Sequence, residues 1–147
     1  MIEMNDSLKI KGSVRCQLFD KNGTLIYDQT DRNLVVTSGK TYLAAWLVST
    51  SFMPYVGLGT GTTAPTSGET GLQSPFGIRV AGSLTSASNV WQNVVTFLPG
   101  VDTNAAITEA GLFSALTGGT MFAHKTFGAV SKGASDTFVL TWQVTFN

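Results

Sequence analysis

Alternation of apolar and polar positions runs through most of this chain. From Ser13 to Phe19, Val14, Cys16 and Leu18 share one side and Ser13, Arg15 and Gln17 the other, the period of a half-buried strand. Asp20-Lys21-Asn22-Gly23 is a turn signal, and Thr24 to Tyr27 resumes the β pattern, predicting a hairpin. Asn33 to Val36 and Tyr55 to Leu58 read as short apolar strands. Phe76 to Leu84 and Val90 to Leu98 read as a second hairpin around Thr85-Ser86-Ala87-Ser88-Asn89. Ala106 to Phe113 and Met121 to Phe127 form a third pair, joined through Thr117-Gly118-Gly119. The last strand is the cleanest: Phe138, Leu140, Trp142, Val144 and Phe146 face one way, and Thr137, Val139, Thr141, Gln143 and Thr145 the other. Burying that apolar row contributes about 8–15 kcal/mol gross, at about 1.5–3 kcal/mol each, so the strand belongs inside a sheet.

One segment breaks the period. Thr37 or Ser38 can cap a helix in which Tyr42, Leu43, Trp46 and Leu47 fall on one face, predicted to look into the core, with an end near residues 49–51. About eight strands with turns every 8–12 residues predict an all-β fold, an antiparallel β-sandwich of jelly-roll or Ig-like type. One short helix near 38–49 closes one end. Residues 1–12 read as an N-terminal arm and 13–147 as a single sandwich domain. Gly59 to Gly71 is a long Gly/Thr/Ser-rich loop, and loops of that length usually have a role.

Composition agrees with this reading. A length of 147 residues fits one domain, and charged residues make up 12%, about half the usual share. Thr fills much of the gap and suits a pleated, half-buried surface. Formal net charge is zero, with no basic cluster longer than Lys9-x-Lys11, which argues against nucleic-acid binding. A surface with so little colloidal repulsion is easier to understand if partners cover much of it. Cys16 is the only cysteine, so no intrachain disulfide forms. Met1 to Lys11 has no apolar signal region and no run approaches 18 apolar residues, so the expectation is a protein made in a cytoplasm that spans no membrane.

The candidate chemistry centres on Ile107-Thr108-Glu109-Ala110-Gly111-Leu112-Phe113, where a carboxylate sits among small and apolar residues. Such a group is either catalytic, with a raised pKa, or an acceptor for backbone N–H groups. Glycosidase chemistry needs a second carboxylate at a defined separation, and Glu69, Asp102 and Asp136 all fall in predicted loops. The structural reading is the better one: Glu109 accepts loop N–H groups or pairs with Arg79, and Gly111 permits close approach of a neighbour. Thr37-Ser38-Gly39-Lys40-Thr41 lacks the earlier glycine of a phosphate loop, since Leu34 stands there. Gly59-Thr60-Gly61-Thr62-Thr63-Ala64 matches a dinucleotide pattern, but Pro65-Thr66-Ser67-Gly68 makes a poor helix start. Asp20-x-Asn22-Gly23 is explained by a turn rather than a calcium loop. His124, the only histidine, reads as packed or surface-edge, and a multi-histidine metal site is excluded. Of the tryptophans, Trp46 and Trp142 fall on predicted core faces, leaving Trp91 as the candidate for sugar stacking. The expectation is a protein with no enzyme activity, cofactor, metal or small-molecule substrate.

Several segments, in order, resemble a group of small bacteriophage virion proteins. They are Asn33-Leu34-Val35-Val36-Thr37-Ser38-Gly39-Lys40, Val56-Gly57-Leu58-Gly59-Thr60-Gly61-Thr62-Thr63-Ala64-Pro65, the Ile107–Phe113 segment, and Gly119-Thr120-Met121-Phe122-Ala123. The Phe127 to Phe146 stretch, with Lys132, Asp136 and Trp142, completes the set. The resemblance implies a non-enzymatic β-sandwich of the virion: a capsid cement or decoration protein bound to the outer shell, or else a tail fibre, collar or tail-tip component. A carbohydrate-binding module built on Trp91 is the remaining expectation. The implied partners are the major capsid protein or other virion proteins, together with further copies of this chain as a dimer or trimer. Contact with partners is expected from the arm, through Met1, Ile2, Met4 and Leu8, and from the long loop, through Thr60, Thr62, Thr63 and Pro65.

Overall fold

The computed structural model describes residues 2–10, 12–19 and 21–147; the side chains of Ile2, residues 12–14, Cys16, Leu18, Phe19 and Asn33 fall outside that description, as does all of Met1. Among the described residues the chain forms ten strands and one helix: β1 (Ile2–Leu8), β2 (Gly12–Phe19), β3 (Leu25–Asn33), α1 (Thr37–Ser49), β4 (Tyr55–Gly59), β5 (Pro75–Ala81), β6 (Ser83–Ala87), β7 (Val90–Phe97), β8 (Asn104–Phe113), β9 (Met121–Lys132) and β10 (Phe138–Phe146). The fold is an all-β sandwich. One sheet has the order β1-β10-β7-β6 and the other β5-β4-β8-β9, while β2 and β3 form a ribbon of their own. No helix among the described residues is long and apolar enough to cross a membrane.

The sheets bury the alternating rows that the sequence marks. Trp91, Val95 and Phe97 of β7 and Leu140, Trp142 and Val144 of β10 meet Val56 and Leu58 of β4 and Ala110 and Leu112 of β8. Strand β10 does run inside its sheet, antiparallel to β7 on one side. On its other side it pairs with β1 in parallel, Ile2 opposite Leu140 through Leu8 opposite Phe146. The segment expected as an arm is therefore largely an edge strand, fastened by the Trp142 Nε1 donation to Asp6 at 2.7 Å. Its Met4 is buried in the core, so the expectation that Met4 meets a partner is corrected.

Three further expectations are revised. The run Phe76 to Leu84 is not one strand: it breaks at Gly82, and β5 and β6 belong to different sheets. A Cβ at Gly82 would stand 2.5 Å from the Val95 side chain and 2.7 Å from the Val94 carbonyl, so the crossing tolerates only glycine. Residues 34–36 are not a strand but lead into α1, whose N-cap is Val36. Finally, α1 packs on β6 and β7 through Leu43, Ala44, Leu47 and Val48, leaving Tyr42 and Trp46 exposed. The stripe at i, i+1, i+4, i+5 lies rotated towards 43/44/47/48, because small Ala44 lets the helix sit closer than an aromatic would.

Candidate functional site

Leu58 and Ala110 pair inward, so their neighbours Gly57, Gly59, Glu109 and Gly111 turn to the outer face of the second sheet. On that face the loop over 60–74 folds back across β8 and covers Glu109, which is fully buried. Each carboxylate oxygen has a defined task. Oε1 accepts the Gly61 N–H at 3.0 Å and the Ser74 N–H at 2.7 Å, and Oε2 accepts the Gln73 N–H at 3.1 Å. The Thr108 hydroxyl donates to the Gly61 carbonyl at 2.8 Å. Gln73 adds a two-way clasp, accepting the Thr63 N–H and donating to the Thr63 carbonyl. Backbone donors turned in towards a sheet need such acceptors, above all the buried Gly61 N–H, which water does not reach.

The glycines that mimic a dinucleotide motif have their explanation here. A Cβ at Gly59 would stand 2.7 Å from the Ser74 carbonyl and 2.8 Å from the Glu109 carboxyl carbon. One at Gly61 would stand 2.6 Å from Gln73 Cβ and 2.7 Å from Glu109 Oε1. The Gly-x-Gly spacing makes room for a carboxylate of the same chain, not for a phosphate.

His124 of β9 stands opposite Gly111 and is all but enclosed, its side chain 4% exposed. Its Nε2 lies 2.7 Å from Glu109 Oε2, and its Nδ1 lies 2.5 Å from Glu69 Oε2. Burial pushes the Glu109 carboxyl up, but the N–H groups of Ser74, Gln73 and Gly61 and the His124 ring outweigh it and hold it below the ordinary value. The Glu69 carboxyl is held low chiefly by its bond to His124. One carboxylate oxygen stands at each ring nitrogen, so the imidazole is bracketed by the two acids. The sequence signal for His124 suggested a packed or surface-edge residue; its two acidic partners lie 15 and 55 residues away, beyond any local pattern.

Of the two roles expected of Glu109, the structure realises the acceptor of loop N–H groups, not the pair with Arg79. Arg79 instead lies over the Phe113 ring, 3.6 Å from its centroid, and donates from Nη1 to the Ala115 and Gly118 carbonyls at 2.8 and 2.7 Å. Its task is to clasp the β8–β9 connection. Gly111 supports the same corner: a Cβ there would stand 2.7 Å from Phe113 Cε2 and 2.9 Å from Leu72 Cδ2. Beside Arg79 lies an apolar groove of about 550 Å³.

The other sequence-derived residues divide between two places. Thr62, Thr63 and Pro65 are exposed and Thr60 is half-buried, all on the loop that Glu109 holds, beside a shallow depression of about 410 Å³. Ile2, Met4 and Leu8 lie on β1 in the opposite sheet, with Leu8 40% exposed. Met1 lies outside the described residues. Trp91, the stacking candidate, is fully buried and packs edge-on against Phe52 with centroids 5.7 Å apart, so it offers no face to a sugar.

Both nitrogens of His124 are engaged by carboxylates. Among the described residues no group of three or more His, Cys, Asp or Glu side chains is placed to hold a metal ion. No protein-family model matches this chain, and no curated protein matches it.

Proposed function

We infer that the protein is a non-enzymatic structural component of a bacteriophage virion, in the first place a capsid cement protein that binds the outer shell and stabilises it. The observation that carries this reading is what three side chains at the long loop do. Glu109, His124 and Glu69 are all committed to fixing one loop, and that loop carries exposed Thr62, Thr63 and Pro65. A loop held in one shape loses less conformational freedom on binding, so rigid presentation favours a docking surface. The ordered motifs that resemble virion proteins supply the setting, and a charge-poor surface suits a protein that works covered by its neighbours. The major capsid protein is the partner this reading names.

A tail, collar or fibre module would share the sandwich and differ in copy number. A glycan-binding module is disfavoured by the buried Trp91. The test is binding to capsids prepared without this protein. Thr62→Asp with Thr63→Asp, both exposed and outside the core, should leave the fold intact and weaken binding about tenfold or more. Wild-type protein that ignores such capsids, or a folded double variant that binds as wild type does, would overturn the reading.

A further inference from the structure

The β2–β3 ribbon is a sheet of only two strands, and these strands pack substantially only on each other. Every side chain described from Lys21 to Arg32 is exposed, including Leu25 at 43%, Ile26 at 60% and Tyr27 at 52%. Two strands in water are marginal, and a third or fourth is what makes such a ribbon independently stable. Its outer edges are unpaired among the described residues, and an exposed edge with apolar side chains is a template for another strand.

We propose that the occupant is a second copy of this chain, with β3 pairing antiparallel to β3 of its twin about a two-fold axis at Thr30. The charges along β3 favour that edge, and this register joins opposite charges while keeping most of the strand paired. Strand β2 carries Arg15 and no acidic residue, so two β2 edges offer no ion pair. Strand β3 carries Asp28, Asp31 and Arg32. With the axis at Thr30, Asp28 of each copy faces Arg32 of the other, so one contact occurs twice. Gln29 then faces Asp31, and Ile26 faces Leu34, which is 82% exposed in the single chain. A slip of one residue towards the strand's start sets Asp28 against Asp31, and an axis at Asp28 or at Asp31 sets identical carboxylates together. Like charges directly opposite each other destabilise a strand pair.

Asp28 has a fixed side-chain position on this ribbon. Arg15 holds it with two bonds, Nε to Oδ1 at 2.8 Å and Nη2 to Oδ2 at 2.7 Å. Arg32 forms no ion pair among the described residues. The result is a continuous four-stranded ribbon, β2-β3 from one copy and β3-β2 from the other, with the two sandwiches carried at its ends. This is an isologous interface, and it stands independently of the virion reading.

Charge exchange tests it directly. In sedimentation velocity the full-length protein should be a dimer. Arg32→Glu sets a carboxylate against Asp28 twice, and Asp28→Lys sets an ammonium against Arg32 twice. Each should weaken the dimer about tenfold or more. An equimolar mixture of the two variants restores both opposite-charge contacts and should recover the dimer. Because Asp28→Lys also loses the Arg15 contact, Thr30→Cys provides a second reading. Its two copies meet on the axis with Cβ atoms about 4.5–5.5 Å apart, close enough for oxidation to cross-link them, whereas Thr24→Cys should not cross-link. A monomeric wild type, variants that dimerise as wild type does, a mixture that stays monomeric, or equal cross-linking at residues 24 and 30 would each overturn the proposal.

Discussion

Replacing Glu109 by Ala removes the acceptor for Gly61, Gln73 and Ser74 and one of the two partners of His124. Gly61 is buried, so its N–H is left without water, at about 1–3 kcal/mol. Gln73 is half-buried and Ser74 exposed, and both can recover part of their loss from solvent. The greater cost falls on His124, left enclosed with a single carboxylate; removing one partner of a buried pair costs about 3–5 kcal/mol. These costs overlap, because once the loop lifts water reaches all the groups, so the expected total is about 3–5 kcal/mol. That is a large part of the roughly 5–15 kcal/mol typical of a domain. Glu109→Gln keeps one acceptor and should lose less, about 1–3 kcal/mol. Urea unfolding measures both losses, and native-state hydrogen exchange locates them: the Gly61, Gln73 and Ser74 amides should lose protection ahead of the core strands. An Ala variant within about 0.5 kcal/mol of wild type, the range of a neutral surface change, with those amides still protected, would refute the lock.

The remaining expectations test other parts of the same account. Both Glu69 and Glu109 are held below the ordinary glutamate value of 4.5, so the stability they add is present above that pH and lost as pH falls below it. Acid titration of unfolding free energy should show that fall, and Glu109→Gln should flatten it. Gly59→Ala drives a methyl against the Ser74 carbonyl and should cost about 1–3 kcal/mol by thermal unfolding. Trp91→Ala should cost about 3–5 kcal/mol in the same assay. Trp46→Ala, on the exposed side of α1, should stay within about 0.5 kcal/mol of wild type.

How far each part of the fold could be read from the sequence depended on the distance over which its signal acts. Strand β10 was legible because five apolar residues alternate without interruption, and all five are buried. The β8–β9 pair was legible because a Gly-rich turn joins two patterned runs. The pattern could not show that β1 pairs in parallel with β10, since the two strands lie at opposite ends of the chain. It misread Phe76 to Leu84 because the run stays β-like through Gly82, and only the Asn93 and Val95 side chains beneath that glycine mark the change of sheet. In α1, four large apolar residues at helical spacing looked like a core face. Ala44 is the residue fully enclosed, and size alone does not announce that.

For the site, the residue was legible and its circuit was not. Glu109 stood out as a lone carboxylate among small and apolar neighbours, and backbone acceptance was the natural reading. Its donors come from Gly61, 48 residues upstream, and from Gln73 and Ser74, 36 and 35 residues upstream. The Gly59 and Gly61 pair was visible but pointed to a cofactor. Only the position of Glu109 beneath it shows the close approach it serves.

The central claim is that this sandwich is a building block of a virus particle, bound over the shell. Under that proposal, quantitative mass spectrometry of purified virus particles measures the copy number of this chain against the major capsid protein. The account predicts a ratio of the same order as one; absence from the particle would contradict the virion reading, and a few copies per particle would contradict the place on the shell.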